Sequence, residues 1–153
     1  MVDVYELLEY EKKCLDAGFK YICGVDEVGR GPLAGPVTCT AVIMPLDDLI
    51  QGVNDSKKVS KNKRIKLYDV IMEKAIAVNT VSYDCHQIDE MNILEATKAC
   101  MRDAIMGLSV KPDVVLVDAL KLDIPYIKDC FSKLIILSIT ASLFVHKVYI
   151  VFF

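Results

Sequence analysis

Residues Tyr21–Val37 read YICGVDEVGRGPLAGPV. An apolar lead of strand character runs into two adjacent acids, Asp26 and Glu27, and then into a turn holding Gly29, Gly31, Gly35, Arg30 and two prolines. The spacing predicts strands at Tyr21–Asp26 and Val37–Met44, joined by the glycine turn and able to pair antiparallel. Consecutive residues of a regular strand point to opposite faces, so Asp26 and Glu27 share one site only if the turn redirects Glu27. Glycines supply that freedom and let backbone N–H groups approach a sugar or phosphate closely.

Upstream, Val4, Leu7, Leu8, Glu11, Cys14 and Leu15 fall on one helical stripe with a single polar interruption, and Gly18 is placed to end the helix. Downstream, PLDDLIQGVNDSKK reads as a loop, after which Ser60 caps a helix whose Ile65, Tyr68, Met72, Ala75 and Ile76 share a face. A strand is expected near Ala77–Tyr83. A long helix follows over Ile88–Leu108 with Leu94, Met101, Ala104, Ile105 and Leu108 inward, and KPDVVLVDAL supplies a short buried strand ending at Asp118. Two strands, then helix, strand, helix and strand, imply an α/β fold in which helices pack on a mixed sheet.

The chain has 153 residues, 54% hydrophobic and 25% charged, which fits one globular domain with a real core and excludes overall disorder. A net charge of −3 gives no chain-wide attraction to nucleic acid, so any polyanion site must be local. KKVSKNKRIK, from Lys57 to Lys66, concentrates six of the 18 basic residues; on charge alone it is equally a solvated helix face. Six cysteines without C-x-x-C spacing favour free thiols in a reducing cytoplasm. The N-terminus has neither the continuous apolar core of a secretory signal nor the composition of a transit peptide.

Asp26 and Asp118 each end an apolar strand, at the carboxyl edge where open α/β sheets place ligands. Either alone reads more readily as a strand-terminal turn residue. Together with Glu27 they form a set of oxygen donors whose mutual repulsion asks for a hard cation such as Mg²⁺ or Mn²⁺. His86 and His146 receive no role; His86 reads as a loop or helix-start residue.

GVDEVGRGPLAGPV resembles the signature of the ribonuclease HII family, the prokaryotic type 2 ribonucleases H, and the resemblance continues in NDSKKVSKNKR, IDEMNILEATKACM and VLVDALKLDIP, covering about Tyr21 to Pro125. It implies a ribonuclease H-like fold and hydrolytic endonuclease activity on an RNA–DNA hybrid or a ribonucleotide embedded in duplex DNA. Asp26, Glu27 and Asp118 match the family's metal-binding acids, which hold two Mn²⁺ or Mg²⁺ ions in an intact member. Such ions activate a water and stabilise the departing 3′-oxygen, leaving 5′-phosphate and 3′-hydroxyl ends. Gly29, Arg30 and Gly31 match the turn that senses the 2′-hydroxyl. Lys57 matches a residue near the substrate phosphates, and for Lys58 and Asn92 only proximity carries over. A cytoplasmic monomer is expected.

The chain departs from the family after Asp129, where no further Asp or Glu occurs and FSKLIILSI stands in place of a K-G-D segment carrying a fourth acid. SITASLFVHKV resembles a family helix loosely before the chain reaches YIVFF. The expected organisation is an incomplete catalytic domain over residues 1–130, lacking the family's C-terminal helical part, and a divergent apolar tail over 131–153. A truncated or frame-disrupted gene accounts for this pattern, and impaired activity follows. Leu134–Phe153, with His146 and Lys147 as its strongly polar members, is long enough to span a bilayer, but it lacks a basic flank on its C-terminal side. The alternatives are a non-catalytic nucleic-acid-binding remnant and, more weakly, a tail-anchored interaction protein. No membrane association is expected.

Overall fold

A computed structural model describes residues 9–31, 35–48, 50, 59–117, 120–125, 127 and 130–132. Lys57, Lys58, Asp118 and the apolar stretch from Leu134 onward lie outside the described residues. The elements run α1 (Glu9–Asp16), β1 (Ile22–Val28), β2 (Val37–Ile43), α2 (Lys61–Lys74), β3 (Ala77–Tyr83), α3 (Cys85–Met91), α4 (Ile93–Met106), β4 (Val114–Val117) and β5 (Cys130–Ser132).

The strands form one sheet in the order β3-β2-β1-β4-β5. β1–β2 and β2–β3 are antiparallel, whereas β1–β4 and β4–β5 are parallel, which gives the mixed sheet that the element order implies. β5 begins at Cys130, and its pairing with β4 continues to Ser132. A clamp fixes the start of the parallel pair: Asp113 Oδ2 accepts the backbone N–H groups of Lys20 and Tyr21 at 2.8 Å each, and Asp113 N–H donates to the Tyr21 carbonyl.

Alternation along β1 assigns its residues to two cores. Ile22 joins Val42, Val114 and Leu116 beneath Leu67 and Ile71 of α2 and Cys14 of α1. Cys23 and Val25 join Cys39, Ala41, Val115 and Val117 beneath Cys100, Met101, Ala104 and Ile105 of α4. Burying each such aliphatic side chain contributes about 1.5–3 kcal/mol.

α1 ends as the glycine predicts. Gly18 has φ +91°, its N–H donates to the Leu15 carbonyl and the Phe19 N–H reaches back to the Cys14 carbonyl, a Schellman termination. Leu15, expected inward, is exposed, and Glu11 rather than an apolar residue is fully buried.

Two further expectations are corrected. α2 buries Leu67 and Ile71, one turn apart; of the expected stripe Tyr68 and Ala75 are half-buried against the same core, while Ile65, Met72 and Ile76 are exposed, so periodicity alone placed the inward face only in part. The long helix over Ile88–Leu108 is two helices, because Asn92 adopts φ 70° and ends α3 while capping α4. Leu94, one residue inside the second helix, is therefore exposed. α3 begins with a capping box: the Asp84 side chain accepts the Gln87 N–H, and the Gln87 side chain accepts the Asp84 N–H. His86 is exposed in its first turn.

Candidate metal and nucleic-acid site

β1 does not stop at Asp26, as the sequence suggested, but continues to Val28, pairing Asp26 with Thr40, Glu27 with Cys39 and Val28 with Thr38. Pleating puts Asp26 on the face that α2 covers and Glu27 on the face that α4 covers. Glu27 nevertheless comes within hydrogen-bonding reach of the Asp26 carboxyl. The two acids meet while still in strand, before the glycine turn begins. Redirection by the turn is therefore not what joins them.

Burial, foremost, and the neighbouring Asp26 charge push the Glu27 pKa from 4.5 up to about 7. Arg30 pulls the other way: its guanidinium lies 3.6 Å from Glu27 Oε1, a loose contact beyond hydrogen-bond length. A half-buried carboxyl facing another carboxyl is a poor place for two negative charges and a good place for a hard cation. Among the described residues no group of three or more His, Cys, Asp or Glu side chains could hold a metal. Val25 pairs with Val117 in the parallel ladder, so the acid pair begins one residue beyond the level at which described β4 ends. Asp118 follows Val117 directly in sequence.

Cys39 and Cys100 form the floor under Glu27, a feature that sequence reading missed because it depends on the β1–β2 register and on which face of α4 turns inward. Both thiols are fully buried. Cys100 Sγ donates to the Val81 carbonyl at 3.2 Å, and Cys39 Sγ lies 3.9 Å from the Thr97 carbonyl. A hydrogen bond with Cys100, then burial, raises the Cys39 pKa, so Cys39 stands here as a neutral thiol. The donor set for a cation is thus carboxylate oxygen, which fits Mg²⁺ or Mn²⁺ better than a thiophilic metal.

The glycines of the turn divide into two kinds. Gly29 has φ +102°, and a Cβ there would stand 2.1 Å from the Pro36 carbonyl oxygen, so only glycine fits. Gly31 is exposed, and among the described residues a Cβ there would meet nothing within 4 Å. Asn92 uses Oδ1 to accept the N–H groups of Leu94 and Glu95 at 3.0 and 3.1 Å, so its described role is to start α4.

Comparison with known proteins agrees with this layout. The Ribonuclease HII family profile matches residues 23–143. The chain is 53% identical over 118 residues to the Ribonuclease HII of Acetivibrio thermocellus, covering 77% of this chain and 46% of that protein. It is 48% identical over 128 residues to the Ribonuclease HII of Shouchella clausii, covering 84% of this chain and 49% of that protein. The chain thus spans about half the length of the curated relatives it matches. Among solved structures, the fold is similar to ribonuclease H2 from Pyrococcus horikoshii OT3, with a TM-score of 0.73 at 21% identity over 83% of this chain and 71% of that one. It is also similar to Bst-RNase HIII in complex with Mn²⁺, with a TM-score of 0.65 at 20% identity over 85% of this chain and 52% of that one. With a profile match across most of its length and two relatives near half identity, the chain belongs to the ribonuclease HII family.

Proposed function

We propose that the chain is a divalent-metal-dependent endoribonuclease that cuts RNA in RNA–DNA hybrids, or next to a ribonucleotide embedded in duplex DNA. The observation that carries this reading is the meeting of the Asp26 and Glu27 carboxyls at the end of β1, beside the strand whose sequence continues into Asp118. Asp26, Glu27 and Asp118 would hold two Mn²⁺ or Mg²⁺ ions, which supply activation of the attacking water and stabilisation of the leaving 3′-oxygen.

The chain's own groups do the rest. With cations bound, Glu27 would be held as the carboxylate, its proton passing to solvent, and would serve as an oxygen ligand. The turn at Gly29, Arg30 and Gly31 brings backbone to the 2′-hydroxyl, and Gly31, exposed and with no described residue within 4 Å of a Cβ, leaves room for a ribose. Arg30, Lys57 and Lys58 neutralise phosphate, and Asn92 holds the start of α4 near the substrate. We infer a monomer working in a reducing cytoplasm, a reading supported by the free thiols of Cys14, Cys23, Cys39, Cys85 and Cys100. Among the described residues no helix is long and apolar enough to cross a membrane.

Turnover is slow on this reading, because apolar residues occupy the stretch where the family carries its fourth acid. Mg²⁺ demands near-octahedral oxygen ligation, and positional looseness of about 1 Å costs on the order of 10²-fold in rate. A non-catalytic nucleic-acid-binding protein is the second reading, favoured by that same substitution of acid by Leu and Ile. Three duplexes, all-DNA, RNA–DNA hybrid and DNA with one ribonucleotide, distinguish the two in Mn²⁺. Ribonucleotide-dependent nicking supports the nuclease, and hybrid binding without nicking supports the second reading. Indifference to all three duplexes refutes both.

A further inference from the structure

The first two turns of α2 carry Lys61, Lys63, Arg64 and Lys66 and no acid. Lys61, Lys63 and Lys66 are exposed, and among the described residues no ion pair engages them. Positive side chains at a helix N-terminus oppose the helix dipole and repel one another, so this arrangement costs stability in the free protein. Lys63 and Lys66, three residues apart, share one flank, and Lys61 stands at the helix end.

Topology places this charge. α2 ends against the far edge of the sheet, where the Ile76 N–H donates to the Ile43 carbonyl and Ile43 pairs with Ala77. The acids lie toward the opposite edge, where Val28 pairs with Thr38 and Val37 with Tyr83. Fourteen helical residues span about 21 Å and seven strand residues about 23 Å, so α2, running back from its C-terminus, carries its basic end toward the edge that holds the acids. α2 also packs on the sheet face to which Asp26 belongs.

We propose that Lys61, Lys63 and Lys66 form a track for the phosphate backbone of duplex nucleic acid, reaching beyond the cleavage site and indifferent to base and sugar. The inference rests on the nuclease reading for its substrate class, but it makes a separate claim: the chain holds an all-DNA duplex, without metal and without a ribonucleotide, through these three side chains. Discrimination for RNA belongs to the turn, and the track supplies affinity.

The test is fluorescence anisotropy of an all-DNA duplex in chelator across a salt series. It compares the unsubstituted chain, Lys61→Gln/Lys63→Gln/Lys66→Gln, and a charge-matched control, Lys20→Gln/Lys74→Gln/Lys111→Gln. The control residues lie before β1, at the end of α2 and before β4, all toward the other edge of the sheet. Each lost phosphate contact removes about 0.9 from the slope of log affinity against log salt, so the track variant should lose about 2–3 and the control little. Its melting temperature should stay level or rise, since the substitutions relieve repulsion at the helix start. Equal slopes for the track variant and the unsubstituted chain, equal loss in the control, a marked fall in melting temperature, or no duplex binding at all would each overturn the proposal. Because no cleavage is measured, a failed nuclease reading leaves this result interpretable.

Discussion

Val25 and Val117 face each other across the parallel β1–β4 pair, and in sequence each is followed immediately by an aspartate. The metal-site reading depends on this register: β1 continues from Val25 into Asp26, and Asp118 is the next residue in sequence after Val117.

Removing metal should expose the strain between Asp26 and Glu27. The folded-state pKa of Glu27, about 7, lies above its ordinary 4.5, so folding favours the protonated carboxyl. That stability is fully present below about pH 4.5 and is lost as pH rises through 7. In chelator, Glu27→Gln should therefore melt higher than the unsubstituted chain by a margin that widens from pH 5 to pH 8, and saturating Mn²⁺ should narrow it by stabilising only the carboxylate form. A margin that does not change with pH would contradict the description of Glu27.

Gly29→Ala should be strongly destabilising and Gly31→Ala nearly neutral. The positive φ of Gly29 alone implies strain of about 1–3 kcal/mol for a residue with a side chain, and the Pro36 carbonyl adds a steric conflict. Gly31 is exposed and no described residue would meet its methyl, so the substitution should leave chemical denaturation unchanged while weakening ribonucleotide-duplex binding. Equal stability of the two variants would refute the assignment.

Asn92 offers a test of how backbone and cap combine. Asn92→Ala loses two hydrogen bonds from the start of α4 and keeps the positive φ, so it should cost about 1–2 kcal/mol, whereas Asn92→Gly relieves φ and should cost only a few tenths. A glycine variant as unstable as the alanine variant would show that Asn92 does more than cap.

Much of this was legible in the sequence. The apolar runs of β1, β2, β3 and β4 were readable because alternation or continuous burial leaves a strong pattern, and the mixed sheet followed from their order. The break at Asn92 was not, since a helical apolar pattern passes through it and only the backbone angle records the interruption. The inward face of α2 was placed only in part because Ile65 and Met72 match a stripe as well as Leu67 and Ile71 do. At the site, Asp26 and Glu27 were visible as acids at a strand end. Their meeting within the strand, and the thiol floor of Cys39 and Cys100, depend on register between β1, β2 and α4 that no local spacing encodes.

The most direct measurement is nicking of a DNA duplex containing one ribonucleotide, in Mn²⁺, by the unsubstituted chain, Asp26→Asn and Asp118→Asn. The expected result is slow cleavage at the ribonucleotide, on the order of 10²-fold below a family member that carries the fourth acid, none of an all-DNA duplex, and none by either variant. Absence of ribonucleotide-dependent nicking, or nicking that survives Asp118→Asn, would contradict it.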